Sequence, residues 1–211
     1  MIRPTAYKLY YFNARGNGEI IRQIFAVSGK SYEDLRVSKE QWPQFKNNTP
    51  FGQMPVLEVD GFQLSQTYTI ARYLSRQFGL AGKDAWFQAQ VDAYADQWKD
   101  FLSEIKPFTS VLSGLVPGDL NKLKQEVFIP AVDKHFPIYV NAIKENSFGS
   151  GYIIGCSLTW IDLLISEFVA NLEKIAPQVL DKFPTLRAHK KLIQSNPKLK
   201  NWLESRPNTA L

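Results

Sequence analysis

The chain has 211 residues, 45% of them apolar and 13% aromatic, which suffices for packed cores in one large or two small domains and excludes a disordered chain. Its single cysteine, Cys156, excludes an intrachain disulfide framework, and no apolar run reaches the roughly 18 to 20 residues of a membrane helix. The formal charge is +5, but the basic residues are spread out, and the densest cluster, Lys190, Lys191, Lys198 and Lys200, reads as a solvated helical face. A nucleic-acid partner is therefore not indicated, whereas a mild positive field favours small anionic ligands.

The opening MIRPTAYK lacks the apolar core of a secretory signal, which with the lone cysteine predicts a cytoplasmic protein. Residues 7 to 12 read as a strand. Ile20, Ile21, Ile24, Phe25 and Ser28 then form one helical face, closed by Gly29 as a C-terminal stop. Glu33 to Val37 reads as a second strand, and Trp42 to Lys46 as a turn or single helical segment. Met54-Pro55 precedes an apolar run; a proline there cannot donate to a central ladder, so it belongs at a strand start or in a bend, in cis or trans form. Val56, Leu57 and Val59 predict a third strand, Asp60-Gly61 a tight hairpin, and Phe62 and Leu64 the returning strand. Gln66-Thr67 opens a helix on which Ile70, Leu74 and Phe78 recur every fourth residue. The order strand, helix, strand, helix, strand, strand, helix is that of a thioredoxin-like domain.

Residues 78 to 83 form a glycine-marked linker, beyond which strand signals vanish. Phe87, Val91, Tyr94, Trp98, Leu102 and Ile105 predict a long helix that bends near Pro107. Pro117-Gly118-Asp119 marks a turn, followed by a second long helix from Leu120 to about Glu145, with Pro130 and Pro137 expected to kink or divide it. In LTWIDL, Thr159 and Asp162 have the spacing of a capping box; Asp162 reads as a buried folding carboxylate, with catalysis as the alternative. His135 and His189 have no partners at metal-ligand spacing. Cys156, in an apolar neighbourhood, reads as an inert core thiol.

Several polar and aromatic residues remain ambiguous on local grounds. Alternation along the first strand places Tyr7, Leu9 and Tyr11 on one face and Lys8, Tyr10 and Phe12 on the other, so periodicity does not choose between Tyr10 and Tyr11 as a functional hydroxyl. Thr67 reads equally as a helix cap or as a ligand for an anion at a helix N-terminus. Trp42 reads as packing, Lys46 as surface charge, and Asp100 as a carboxylate on an exposed helix face.

Taken together, YKLYYFNARGNGE at residues 7–19, TPFGQMPVLEVDGFQLSQT at 49–67, GCSLTWIDLL at 155–164 and the tail NWLESRPNTAL resemble a cytosolic glutathione S-transferase of the sigma type, closest to the nematode members. The resemblance spans essentially the whole chain. It implies a thioredoxin-like glutathione-binding domain at 1–79 and an all-helical domain at 84–211 that forms the electrophile pocket. Glutathione is then the cosubstrate, no metal is required, and the protein is a cytoplasmic homodimer that conjugates glutathione to hydrophobic electrophiles in detoxification. A glutathione-dependent prostaglandin D isomerase and a non-catalytic carrier of apolar ligands are alternatives on the same fold.

The resemblance also implies roles for individual residues. Tyr11 is the activating tyrosine, since a hydroxyl that donates to the sulfur favours the thiolate over a thiol of reference pKa about 8.5. Gln66 and Thr67 contact the γ-glutamyl group, the main chain of Met54, held by Pro55, pairs with the cysteinyl backbone, and Trp42, Lys46 and Gln53 complete the glutathione contacts, with Lys46 matching the glycyl carboxylate. Asp100 reaches the amine of glutathione bound to the partner subunit. Phe12, Leu102, Phe108 and Leu211 are the apolar walls of the electrophile pocket. One departure is Asn17, where many sigma members carry an arginine.

Overall fold

The computed structural model describes residues 5–209. They form two compact units: the described residues up to Ala81 together with those from Gln194 onward, and Gly82–Ile193. In the first unit the elements are β1 (Tyr7–Phe12), α1 (Glu19–Ser28), β2 (Glu33–Val37), α2 (Trp42–Phe45), β3 (Val56–Val59), β4 (Phe62–Ser65) and α3 (Thr67–Phe78). The sheet order is β2-β1-β3-β4, with β2 parallel to β1 and the other pairs antiparallel. This is the thioredoxin-like arrangement expected from the element order.

Local chemistry explains the elements. Ile21 and Ile24 of α1 are fully buried, as are Ile70, Ala71 and Leu74 of α3, so the four-residue spacings become one packed layer where the two helices meet. Each large aliphatic side chain so buried contributes about 1.5 to 3 kcal/mol. Leu9 pairs with Leu57 across β1 and β3, and neither is exposed at all. Gly29 ends α1 in the left-handed region at φ 71°, its amide returning to the carbonyls of Phe25 and Ala26, a conformation that costs glycine little. Asp60 and Gly61 have φ of 50° and 91°, the paired positive values that a two-residue hairpin requires.

The second unit is helical. Asp84 caps α4 (Ala85–Glu104) by accepting from the Phe87 amide at 3.0 Å. The predicted bend near Pro107 is a break: α4 stops at Ile105 and α5 (Lys106–Leu112) begins with the proline in its first turn, where its missing N–H is tolerated. The predicted helix from Leu120 to Glu145 is divided into α6 (Leu120–Leu123), a π-helical turn over Lys124–Phe128 and α7 (Ile129–Glu145). Pro130 cannot donate to the carbonyl of Glu126, which accounts for the wider turn before it. Pro137 lies inside α7 without dividing it. Trp98 anchors the core, with Phe101, Phe168 and Tyr139 rings at 4.7, 5.0 and 5.3 Å.

The last elements are α8 (Trp160–Ile175), α9 (Pro184–Gln194) and α10 (Pro197–Ser205). At the start of α8 the predicted capping box is present, and Asp162 is fully buried, accepting from the Thr159 amide and hydroxyl, the Ile153 amide and the His189 imidazole at 2.7 to 3.0 Å. The core reading of Cys156 is corrected: the thiol is exposed, because it sits in a turn beyond Gly155, itself at φ 70°. The terminal segment returns to the first unit, where α10 packs on α1. Among the described residues no helix is long and apolar enough to cross a membrane.

Candidate active site

The tertiary structure separates Tyr11 from Tyr10. Tyr10 donates its hydroxyl proton to the Glu58 carboxylate at 3.1 Å and stacks on Phe45 with ring centroids 5.2 Å apart. Tyr11, on the other face and 8% exposed, instead accepts a hydrogen bond at its hydroxyl oxygen from the main-chain amide of Asn17, 3.0 Å away. That amide belongs to a single 3-10 turn, Gly16–Gly18, entering α1. The turn lies directly on the phenol: a Cβ on Gly18 would stand 2.5 Å from the Tyr11 ring, and one on Gly16, at φ 36°, 2.7 Å from its hydroxyl. Burial raises the Tyr11 pKa above its ordinary value, opposed by the Asn17 amide and the Arg22 cation. The hydroxyl therefore remains a proton donor at neutral pH, with one lone pair occupied by an amide.

Strand register gathers the rest at one end of the sheet. Tyr10 pairs with Val56 and Val56 with Ser65, so the end of β1, the start of β3 and the end of β4 arrive together. There a cleft of about 80 Å³ is lined by Asn17, Gln53, Met54, Pro55, Ser65, Gln66 and Thr67. The Met54-Pro55 peptide bond is cis. Gln66 precedes α3 with φ 79° and makes no side-chain cap, a left-handed conformation that is uncommon outside glycine. Thr67 is the first helical residue rather than the cap. The N-terminus of α3, with its partial positive charge, consequently lies beside the cleft, a setting suited to a carboxylate.

Trp42 is half-buried, its ring edge-on to Phe12 at 5.5 Å. Lys46 is exposed, one turn on, with its amide bonded to the Trp42 carbonyl. Its stem passes Gly52, where a Cβ would lie 3.2 Å from Lys46 Cε, so this lysine borders the loop that leads into Gln53. The sequence reading overlooked Ser65, and it treated Asn17 only as a departure from the family pattern. Ser65 is buried with its hydroxyl lacking a hydrogen-bond partner; a polar residue ending a strand just before Gln66 was the available signal. For Asn17 none existed, since its main chain makes the contact.

The remaining candidates lie in the helical unit. Asp100 is exposed and Leu102 half-buried on α4, and Phe108 is a core residue of α5, 4% exposed with its ring stacked 4.6 Å from Phe128. Leu211 is outside the described residues. His135 is held by Gln97 at 2.7 Å and Glu104 at 2.8 Å. Among the described residues no three His, Cys, Asp or Glu side chains gather to hold a metal.

The sequence matches two family models, glutathione S-transferase, N-terminal domain, over residues 7–76 and glutathione S-transferase, C-terminal domain, over 108–206. It is 50% identical over 206 residues to probable glutathione S-transferase 9 of Caenorhabditis elegans, covering 98% of this chain and 99% of the relative. Among solved structures it is similar to monomeric Na-GST-3 of the hookworm Necator americanus, with TM-score 0.94, 50% identity and coverage of 97% and 98%. It is likewise similar to a Nu-class enzyme of Haemonchus contortus, with TM-score 0.90, 50% identity and coverage of 98% and 99%. The chain is thus a member of the glutathione S-transferase family, an enzyme whose cosubstrate is glutathione.

Proposed function

We propose that this transferase conjugates glutathione to hydrophobic electrophiles in the cytoplasm, as a detoxifying enzyme, with Tyr11 as the catalytic hydroxyl. The observation that carries the reading is the Tyr11 hydroxyl, held by the Asn17 amide immediately behind a cleft whose other walls are Gln53, Met54, Pro55, Ser65, Gln66 and Thr67. Glutathione lies with its γ-glutamyl carboxylate at Gln66, Thr67 and the α3 N-terminus and its cysteinyl backbone along Met54. Trp42, Lys46 and Gln53 hold the glycyl end. The phenol donates toward the sulfur, so the thiol proton is lost to solvent and the anion is retained for attack. A thiol pKa lowered by about two units corresponds to roughly 2.7 kcal/mol of differential stabilisation.

Residues 1–79 serve as the glutathione-binding region and residues 84–211 as the helical region that takes the electrophile. The active form is a homodimer in which Asp100 meets the glutathione amine bound to the partner subunit. Because the similar hookworm protein is monomeric, sedimentation analysis is the direct test of that assembly. The tyrosine chemistry fits the sigma type, although a similar structure is Nu-class.

The central test is steady-state conjugation of glutathione to chlorodinitrobenzene by wild type and Tyr11→Phe, with prostaglandin isomerisation assayed in parallel. Loss of conjugation in the variant with glutathione binding retained supports the reading. An unimpaired variant overturns the role of Tyr11, and binding without turnover in the wild type favours a carrier.

A further inference from the structure

Arg22 is an arginine with no exposed surface, in the middle of α1. A buried cation is costly unless fully paired, and every arm of this one is engaged. Nε donates to both oxygens of the Asp34 carboxylate on β2 at 3.1 and 3.2 Å. Nη1 donates to the Ala14 carbonyl at 2.7 Å and Nη2 to the Phe12 carbonyl at 3.3 Å. Those two carbonyls belong to the turn that runs from Tyr11 to Asn17. The guanidinium carbon stands 5.7 Å from the centroid of the Tyr11 ring. The surrounding charges are Glu19 of α1, 3.8 Å from Nη1, Arg36 of β2, which shares Asp34, and Arg206, which is paired to Glu19.

We propose that Arg22 is a positioning residue for the reaction: its planar fork clamps the Phe12–Gly18 turn so that the Asn17 amide stays on the Tyr11 oxygen and the phenolic proton is presented to the sulfur of glutathione. This rests on the assignment of Tyr11 under the proposed function. Arg22 acts through the main chain, by the Phe12 and Ala14 carbonyls, from 5.7 Å off the Tyr11 ring centroid. Lysine carries the same charge but cannot span one carboxylate and two carbonyls, so charge alone does not reproduce the clamp. Asp34 anchors the fork from β2, and alanine there removes the acceptor of Nε without touching the turn or the phenol.

The experiment titrates the ultraviolet absorbance of the bound glutathione thiolate against pH and measures kcat and KM for wild type, Arg22→Lys, Asp34→Ala and Tyr11→Phe. The expected result is that Arg22→Lys and Asp34→Ala each move thiolate formation up by about one pH unit and lower kcat about tenfold, with KM for glutathione within about threefold. A loss of thermal stability alone, with thiolate onset unchanged in folded Arg22→Lys, overturns the proposal. Should Arg22→Lys fail to fold, Asp34→Ala decides, and unaltered onset there overturns it. If Tyr11→Phe loses turnover while the other two retain it, only this inference falls. If Tyr11→Phe is itself unimpaired, the proposed function falls with it.

Discussion

The indole of Trp202 donates to the Glu19 carboxylate at 2.9 Å across 183 residues of sequence. Glu19 is 2% exposed and the same oxygen also accepts from Arg206, 2.6 Å away. One buried carboxylate thus fastens the terminal helix α10 to the start of α1, immediately after the turn that contacts Tyr11. Removing it takes the acceptor from the half-buried Trp202 indole and one ion-pair partner from Arg206. Glu19→Ala is expected to cost about 3 to 5 kcal/mol and Trp202→Phe about 1 to 2 kcal/mol, read from urea midpoints at equal m-values.

Gly18 tests the closeness of the turn to the phenol. Its Cβ would lie 2.5 Å from the ring, and neither the backbone nor a ring packed at 8% exposure can yield without moving the hydroxyl. Gly18→Ala is expected to reduce kcat at least about tenfold while the protein remains folded, since displacement of a donor by a fraction of an ångström is enough to weaken its bond to a developing charge. Steady-state kinetics beside circular dichroism checks this.

Asp162 separates folding from chemistry. It accepts four hydrogen bonds with no exposure to solvent. Asp162→Ala is expected to lose about 3 to 5 kcal/mol, with activity per folded molecule unchanged. A variant of wild-type thermal stability that has no turnover would instead make this carboxylate catalytic.

Lys46 is expected to act on binding alone. It is exposed and lies along the loop entering the cleft, so Lys46→Ala should raise KM for glutathione by about five- to tenfold and leave kcat within about twofold. Equal losses in kcat and kcat/KM would assign the lysine to the transition state.

Alkaline pH acts through buried tyrosines. Burial raises the pKa of Tyr11, and burial followed by the nearby Asp34 charge raises that of Tyr32, which stacks on Phe25 at 4.2 Å. Above the unfolded value of about 10 the unfolded chain loses these protons first, so the folded state binds more protons and stability falls as pH rises. The contribution is fully present below that value. Urea midpoints between about pH 8 and pH 11 are expected to hold and then decline, with a shallower decline in Tyr32→Phe.

The sequence by itself determined the local elements. Alternation from Tyr7 to Phe12, the fourfold spacing of Ile70, Leu74 and Phe78, the Asp60-Gly61 hairpin and the Thr159–Asp162 box are each patterns confined to short windows, so the element each specifies is legible there even where its packing partner is distant. Tertiary structure alone put the Tyr10 hydroxyl on Glu58 and the Asn17 amide on Tyr11, exposed Cys156, placed Ser65 and Asn17 at the cleft and sent α10 back to α1. These depend on strand register, on a main-chain donor that carries no side-chain signature and on a buried carboxylate whose partners lie at the far end of the chain. Such contacts form only after distant segments meet, and no local spacing encodes them.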